Sequence, residues 1–146
     1  EATEEKPVRK YMIKPIFFGF DSHALTPTAK SKLDDLVTVM ERFPNLQLRV
    51  NGHTDAVGAT EYNKRLSVDR AYAAARYLMG KGIDEERIRI QGIGEASHVA
   101  INRTAEGRDA PEGRELNRRV EFRVITDTSD PVEVEEVKVP EHLKIR

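Results

Sequence analysis

The stretch LQLRVNGHTDAVGATEYNKRLSVDRAYAAARYLMGKGI, residues 46–83, decides the fold. Its first residues set Leu46, Leu48 and Val50 at alternate positions with Gln47 and Arg49 between them, the period-2 pattern of a strand with one buried face. From about Thr60 the period changes. Leu66, Ala71, Ala74, Ala75 and Leu78 recur at helical spacing, and the GKG at 80–82 stops a helix near Met79. Thr60 is the expected N-cap. Between strand and helix lies NGHTDAVG, residues 51–58, a turn that carries His53, Thr54 and Asp55 in a row. An aspartate in such a turn can cap the coming helix. Asp55 stands several residues ahead of the helix start, however, with Gly58 between, so its carboxylate is left free to face something else. Farther on, Arg70 sits beside the packed positions Ala71 and Ala74, where an arginine is rarely placed without a carboxylate partner. Two readings stay open. Asp55 and Arg70 form a salt bridge that holds the turn to the helix, or they take opposite ends of a zwitterionic ligand, Arg70 clamping a carboxylate and Asp55 accepting from an ammonium.

Working outward, YMIKPIFFGF (11–20) is rich in aromatic and β-branched residues and reads as a strand whose first half Pro15 makes an edge or irregular. The following segment predicts a helix, with Thr26 as N-cap, Pro27 at the first position, Ala29, Leu33, Leu36, Val37 and Met40 buried, and Pro44 as its close. RIRIQGI (87–93) supplies a third strand through Ile88, Ile90 and Ile93. A polar loop from Gly94 to Leu116 is far longer than the usual ~2–6 residue connection. RRVEFRVI (118–125) alternates Val120, Phe122 and Val124 against Arg119, Glu121 and Arg123 on a wet face, so Arg119 is expected at the surface in an ion pair, pointing away from Arg118. The order predicts an α/β (α+β) domain of the form β-α-β-α-β-β, a four-stranded mixed sheet packed against helices, over residues 12–126. Residues 1–11 read as a polar linker or disordered arm. In the tail, 127–146, VEVEEVKVP alternates valine with an acidic patch and suits either an added edge strand or an acidic linker, mostly extended and weakly packed.

With 34% charged residues but a formal net charge of -1, the chain has no global basic field for nucleic acid or anionic lipid. Within NRRVEFR, Glu121 interrupts the one basic run. No stretch approaches the ~18 apolar residues of a membrane span. His23 and His53 each lie two residues from an aspartate, but with no cysteine and no further ligand pattern a metal site is not expected, nor any cofactor. A hydrolase built on Ser22, His53 and Asp55 lacks a nucleophile elbow or HExxH motif, and no enzyme activity is expected. Because the sequence starts at Glu1, it is expected to be a trimmed fragment whose missing front holds the address and a membrane association of the parent protein.

GHTDAVGATEYNKRLSVDRAYAAARYLMGKGI, with FFGFDSHALTP upstream and EGRELNRRVEF downstream, resembles the OmpA-like peptidoglycan-binding domain family over about Ile16 to Ile125. The resemblance implies the same β-α-β-α-β-β fold and non-covalent binding of peptidoglycan through the diaminopimelate of its stem peptide. It implies a periplasmic place in an outer-membrane or cell-envelope protein. By this resemblance Asp55 takes the ligand's amine and Arg70 its carboxylate, while Asn63, Arg118, Thr54 and Asp21 help line the pocket. Two departures from the family pattern are visible. Ala74 stands where a valine is usual, and the loop 102–117 holds two EGR tripeptides, of which the first is treated as an insertion and the second aligned so that Arg114 and Arg118 fall on the family's terminal motif. The alternative is a protein–protein interaction module on the same fold with a non-binding pocket.

Overall fold

The structure, a computed structural model, describes residues 10–127 and 129–145. The polar arm expected over residues 1–11 therefore lies outside the described residues up to position 9. Pro15 divides the first expected strand more completely than its sequence suggests: β1 (Tyr11–Ile13) and β2 (Ile16–Phe17) join different sheets. A proline lacks the N–H a ladder needs, so the chain changes partner there.

Helix α1 (Pro27–Arg42) begins as its sequence predicts, the Thr26 hydroxyl accepting from the Ala29 amide at 3.0 Å and Pro27 filling the first turn. It buries Ala29, Leu33, Leu36, Val37 and Met40, together with Val39. Strand β3 (Leu48–His53) leads into α2 (Thr60–Gly80), and β4 (Ile88–Gly94) returns parallel to β3. Strand β5 (Arg119–Val124) lies antiparallel between β2 and β3, giving the mixed order β2-β5-β3-β4. The expected four-stranded mixed sheet packed against helices is thus the fold observed. Leu48, Val50, Val120, Phe122 and Ile16 point into the core shared with α1 and α2.

Two glycines set how closely α2 approaches the sheet. A Cβ on Gly52 would stand 1.8 Å from the Ser67 carbonyl oxygen, and one on Gly92 2.5 Å from Val68 Cγ2. Backbone contact at that range fixes the height of the helix over β3, and with it the height of Asn63 and Arg70, which project from the same buried face.

Three local expectations are corrected. Thr60 does not cap α2: the N-cap is Ala59, with no side-chain cap bond, and Thr60 is the first helical residue. The stretch expected as a loop from Gly94 to Leu116 is not loop throughout, for it holds α3 (Pro111–Asn117), begun by a proline and packed so closely that a Cβ on Gly113 would meet the Ile101 carbonyl oxygen at 1.9 Å. Arg119 is not at the surface. It is 1% exposed, because the 95–110 loop folds over that end of the sheet and makes its wet face an interior one. In the tail, β6 (Val132–Val134) forms a two-stranded parallel sheet with β1, and a 3-10 turn at Glu141–Leu143 buries Leu143 where its carbonyl accepts from the Ile101 amide at 2.9 Å.

Candidate functional site

The carboxyl end of β3, the amino end of α2 and the segment between β2 and α1 meet at one corner of the sheet. Asp55, Asn63, Arg70, Arg118 and Asp21 line a single cavity there of about 350 Å³, with Tyr62 beside them. Thr54 stands just behind it. It is buried, its amide bonded to the Gly94 carbonyl at 2.9 Å and its hydroxyl to the Asp55 carbonyl at 2.9 Å, so it holds the turn to β4 and does not line the cavity.

Asp55 is almost fully buried. One carboxylate oxygen accepts from the Val57 amide at 3.0 Å, closing the turn, and the other accepts from Arg118 Nη1 at 3.2 Å. The Asp55–Arg70 salt bridge, the first of the two readings, is not what forms: the direct ion partner of Asp55 is Arg118. Arg118 reaches it from the end of α3, its Nε donating to the Phe18 carbonyl at 3.1 Å. Of the loop arginines, Arg118 is therefore the one that enters the cavity. Arg114 turns into the loop instead, bonded to Asp109 and to the Asn102 carbonyl.

Arg70 is 0% exposed and makes no ion pair among the described residues. Its guanidinium donates to three backbone carbonyls, from Nε to Ser22 at 2.9 Å, Nη1 to His53 at 3.0 Å and Nη2 to Gly19 at 3.1 Å, and it stacks over the Phe18 ring at 5.4 Å. A guanidinium has five N–H donors, so one remains on each terminal nitrogen. Burial lowers its pKa to about 10, opposed by the charge of Asp55 and reinforced by that of Arg118, which leaves it charged at neutral pH. It thus welds the 19–22 segment to the end of β3 from the wall of the cavity, with two N–H groups beyond those three bonds.

Asn63 spans the turn, donating to the Val57 carbonyl at 3.0 Å and to Glu95 Oε1 at 3.3 Å. Asp21 sits in the left-handed region, φ 51°, a conformation aspartate tolerates better than most residues. The Tyr62 hydroxyl donates to its carboxylate, a contact that raises the phenol pKa. The corner so built carries two guanidiniums and two carboxylates around one opening.

Sequence reasoning missed the support beneath this corner. His53, Glu121 and Arg119 cluster on the sheet face turned away from the helices, His53 Nε2 lying 3.4 Å from Glu121 Oε2 and Arg119 Nε 3.3 Å from Glu121 Oε1. Burial alone would raise the Glu121 carboxyl, but the His53 ring and the Arg119 guanidinium outweigh it and hold the pKa at about 2. Burial lowers the pKa of His53, with Glu121 opposing. Asn117 pins the covering loop, accepting from the Val99 and Ala100 amides at 2.8 and 3.0 Å, and Asn102 Oδ1 accepts from the Ala56 amide of the site turn at 3.1 Å. The placement of Asn117 two residues before β5, with Gly113 four residues earlier, was the available signal for an ordered cover.

A model of the OmpA family matches residues 17–111. The chain is 37% identical to outer membrane protein A of Bordetella avium over 75% of its own length and 53% of the relative's. It is 36% identical to the peptidoglycan-binding protein ArfA of Mycobacterium tuberculosis, over 75% of its length and 32% of the relative's. The chain spans between 13% and 53% of the length of the first curated relatives it matches. Among solved structures, the peptidoglycan-associated lipoprotein from Burkholderia pseudomallei has the same fold, with a TM-score of 0.67 at 24% identity, covering 75% of this chain and 88% of that one.

Proposed function

The chain belongs to the OmpA family, and from that membership we propose that it binds peptidoglycan non-covalently, gripping the diaminopimelate side chain of the stem peptide in the Asp55–Arg70–Arg118 cavity. The observation that carries this reading is the Asp55–Arg118 ion pair, 5% exposed at the Asp55 side chain and 12% at that of Arg118, beside the two spare donors of Arg70. The free end of diaminopimelate carries one ammonium and one carboxylate. On entry the ammonium takes Asp55 and the carboxylate takes the arginines, so each charge of the internal pair is exchanged for an equivalent one and none is left buried alone. A lysine in the same peptide position brings only the ammonium. It satisfies Asp55 and leaves Arg118 without its counter-ion, and an unpaired buried charge costs several kcal/mol. The site binds and does no chemistry. It serves to tether a larger, membrane-associated envelope protein to the cell wall from the periplasm.

Sedimentation with purified peptidoglycan sacculi tests this. Wild type is expected in the pellet and the folded Asp55→Ala variant in the supernatant. Wild type remaining in the supernatant would replace this reading with that of a protein-interaction module on the same fold.

A further inference from the structure

The sheet face opposite the helices carries a feature that the cavity does not use. Arg89 of β4, Arg49 of β3 and Arg123 of β5 stand in one cross-strand row, paired in register as Arg49↔Arg89 and Arg49↔Arg123. All three are exposed, and they share a face because Leu48, Val50 and Phe122 next to them point into the core. Like charges directly opposite one another weaken a sheet. Arg123 has a counter-ion, Glu136 at 3.6 Å, whereas Arg49 and Arg89 have neither an ion pair nor a side-chain hydrogen bond among the described residues. A single charge on an edge strand suffices to deter unwanted pairing. That purpose explains Arg89 and leaves Arg49, on an interior strand, unexplained.

β4 is itself an open edge. It pairs with β3 on one side only, and Lys64 closes just its upper end by donating to the Gly92 carbonyl. On the helix side of this edge two aliphatic side chains are exposed, Ile90 at 43% and Val68 at 38%, Val68 lying against Gly92. The edge therefore offers apolar contacts on one face and two unpaired arginines on the other, with a row of backbone groups between. Successive side chains of a strand point to opposite faces. The complement of this edge is a strand whose residues alternate apolar and acidic.

We propose that the outer edge of β4 is a docking site for an extended segment of a partner protein with alternating aliphatic and acidic residues, which adds as a fifth strand. Its aliphatic side chains rest on Ile90 and Val68, and its carboxylates meet Arg89 and Arg49, which a planar guanidinium can take bidentately. The molecule already shows this kind of addition once: Val132 and Val134 of β6 pack inward beside β1 while Glu133 faces out to Lys10 at 3.5 Å. The site lies on strand residues remote from Asp55, so it operates whether or not the cavity holds peptidoglycan.

The test is a titration of the isotopically labelled full chain with a synthetic peptide of sequence PVEVEEVKV, following backbone amide shifts. A second peptide carrying lysine in place of each glutamate serves as the control. The acidic peptide is expected to shift the amides of Ile88–Gly92, the lysine peptide to leave them unmoved, and the Arg49→Glu/Arg89→Glu double variant to bind the acidic peptide at least about tenfold more weakly. Shifts confined to Tyr11–Ile13, equal binding of both peptides, or no shift along β4 would each overturn the proposal. Self-association of the protein through the same β4 amides would give the edge to a second copy and overturn its assignment to a foreign partner. Asp55→Ala is expected to lose sacculus binding and to leave the titration unchanged, so the two readings fail separately.

Discussion

Replacing Arg70 by alanine tests whether this residue is first a structural clamp and only then a ligand contact. Three N–H groups of its buried guanidinium are bonded to the carbonyls of Ser22, His53 and Gly19. Hydrogen bonds from a charged group contribute roughly 1.5–3 kcal/mol each, so the three together give about 5–9 kcal/mol. Against this stands the burial of the charge. The lowering of its pKa from 12.5 to about 10 corresponds to roughly 3 kcal/mol. The difference leaves Arg70→Ala less stable by about 2–6 kcal/mol. With a urea dependence near ~2 kcal/mol/M, that is a shift of the unfolding midpoint by about 1–3 M. Arg70→Lys, which keeps the charge but reaches fewer carbonyls, is expected about halfway. Urea denaturation followed by circular dichroism reads both. A loss below about 1 kcal/mol for the alanine variant would refute the clamp, since it would mean that water satisfies the three carbonyls as well as the guanidinium does. The same reasoning makes Arg70→Ala a poor probe of binding, because loss of affinity would be confounded with loss of the corner itself.

Arg118→Ala leaves Asp55 a buried carboxylate without its counter-ion, so the variant is expected to lose several kcal/mol of stability as well as sacculus binding, and full retention of binding by the folded variant would remove Arg118 from the site. Muropeptides with diaminopimelate are expected to bind at least about tenfold more tightly than lysine-type ones in calorimetry, and equal affinities would contradict the charge exchange. Gly52→Ala forces α2 away from β3 at a 1.8 Å contact and is expected to destabilise by about 1–3 kcal/mol or more while weakening binding; an unchanged melting temperature would show the helix height to be adjustable. His53 has a folded pKa below its unfolded 6.5, so the unfolded chain binds more protons as pH falls through that value, and stability drops on acidification; Glu121, held at about 2, adds stability that is full above its unfolded value of 4.5 and disappears only as pH falls toward 2. The urea midpoint is therefore expected to fall between pH 7 and 5 and to fall less in His53→Gln, and a wild-type midpoint flat across that range would count against the buried histidine.

What the sequence revealed and what it hid divide along a physical line. Periodicity reports which face of an element is apolar, and it correctly predicted the burial of α1 through Leu33, Leu36 and Met40 and of β5 through Val120 and Phe122. It reports nothing about what lies on the other face. Arg119 and Glu121 occupy the polar phase of β5 and read as solvent-facing, yet the loop pinned by Asn117 seals them with His53. The same limit decided the site. Asp55 and Arg70 could be singled out because each is a charge in a place that local structure does not need, but which charge pairs with which depends on the approach of Arg118, contributed by a segment sixty-three positions away from Asp55. No local pattern contains that contact. Arg118 is positioned by the C-terminal end of α3, a helix of seven residues that proline and tight backbone contact define more than amphipathic spacing does. The long loop thus supplies a working part of the cavity rim, and its extra length is anchored at both ends, at its start by Ile101 to the tail and Asn102 to the site turn, and at its close by Asn117 to the Val99 and Ala100 amides. An insertion between those anchors is free to vary. One that displaced Asn117 would carry Arg118 with it, and Asp55 would be left as a buried carboxylate with no counter-ion.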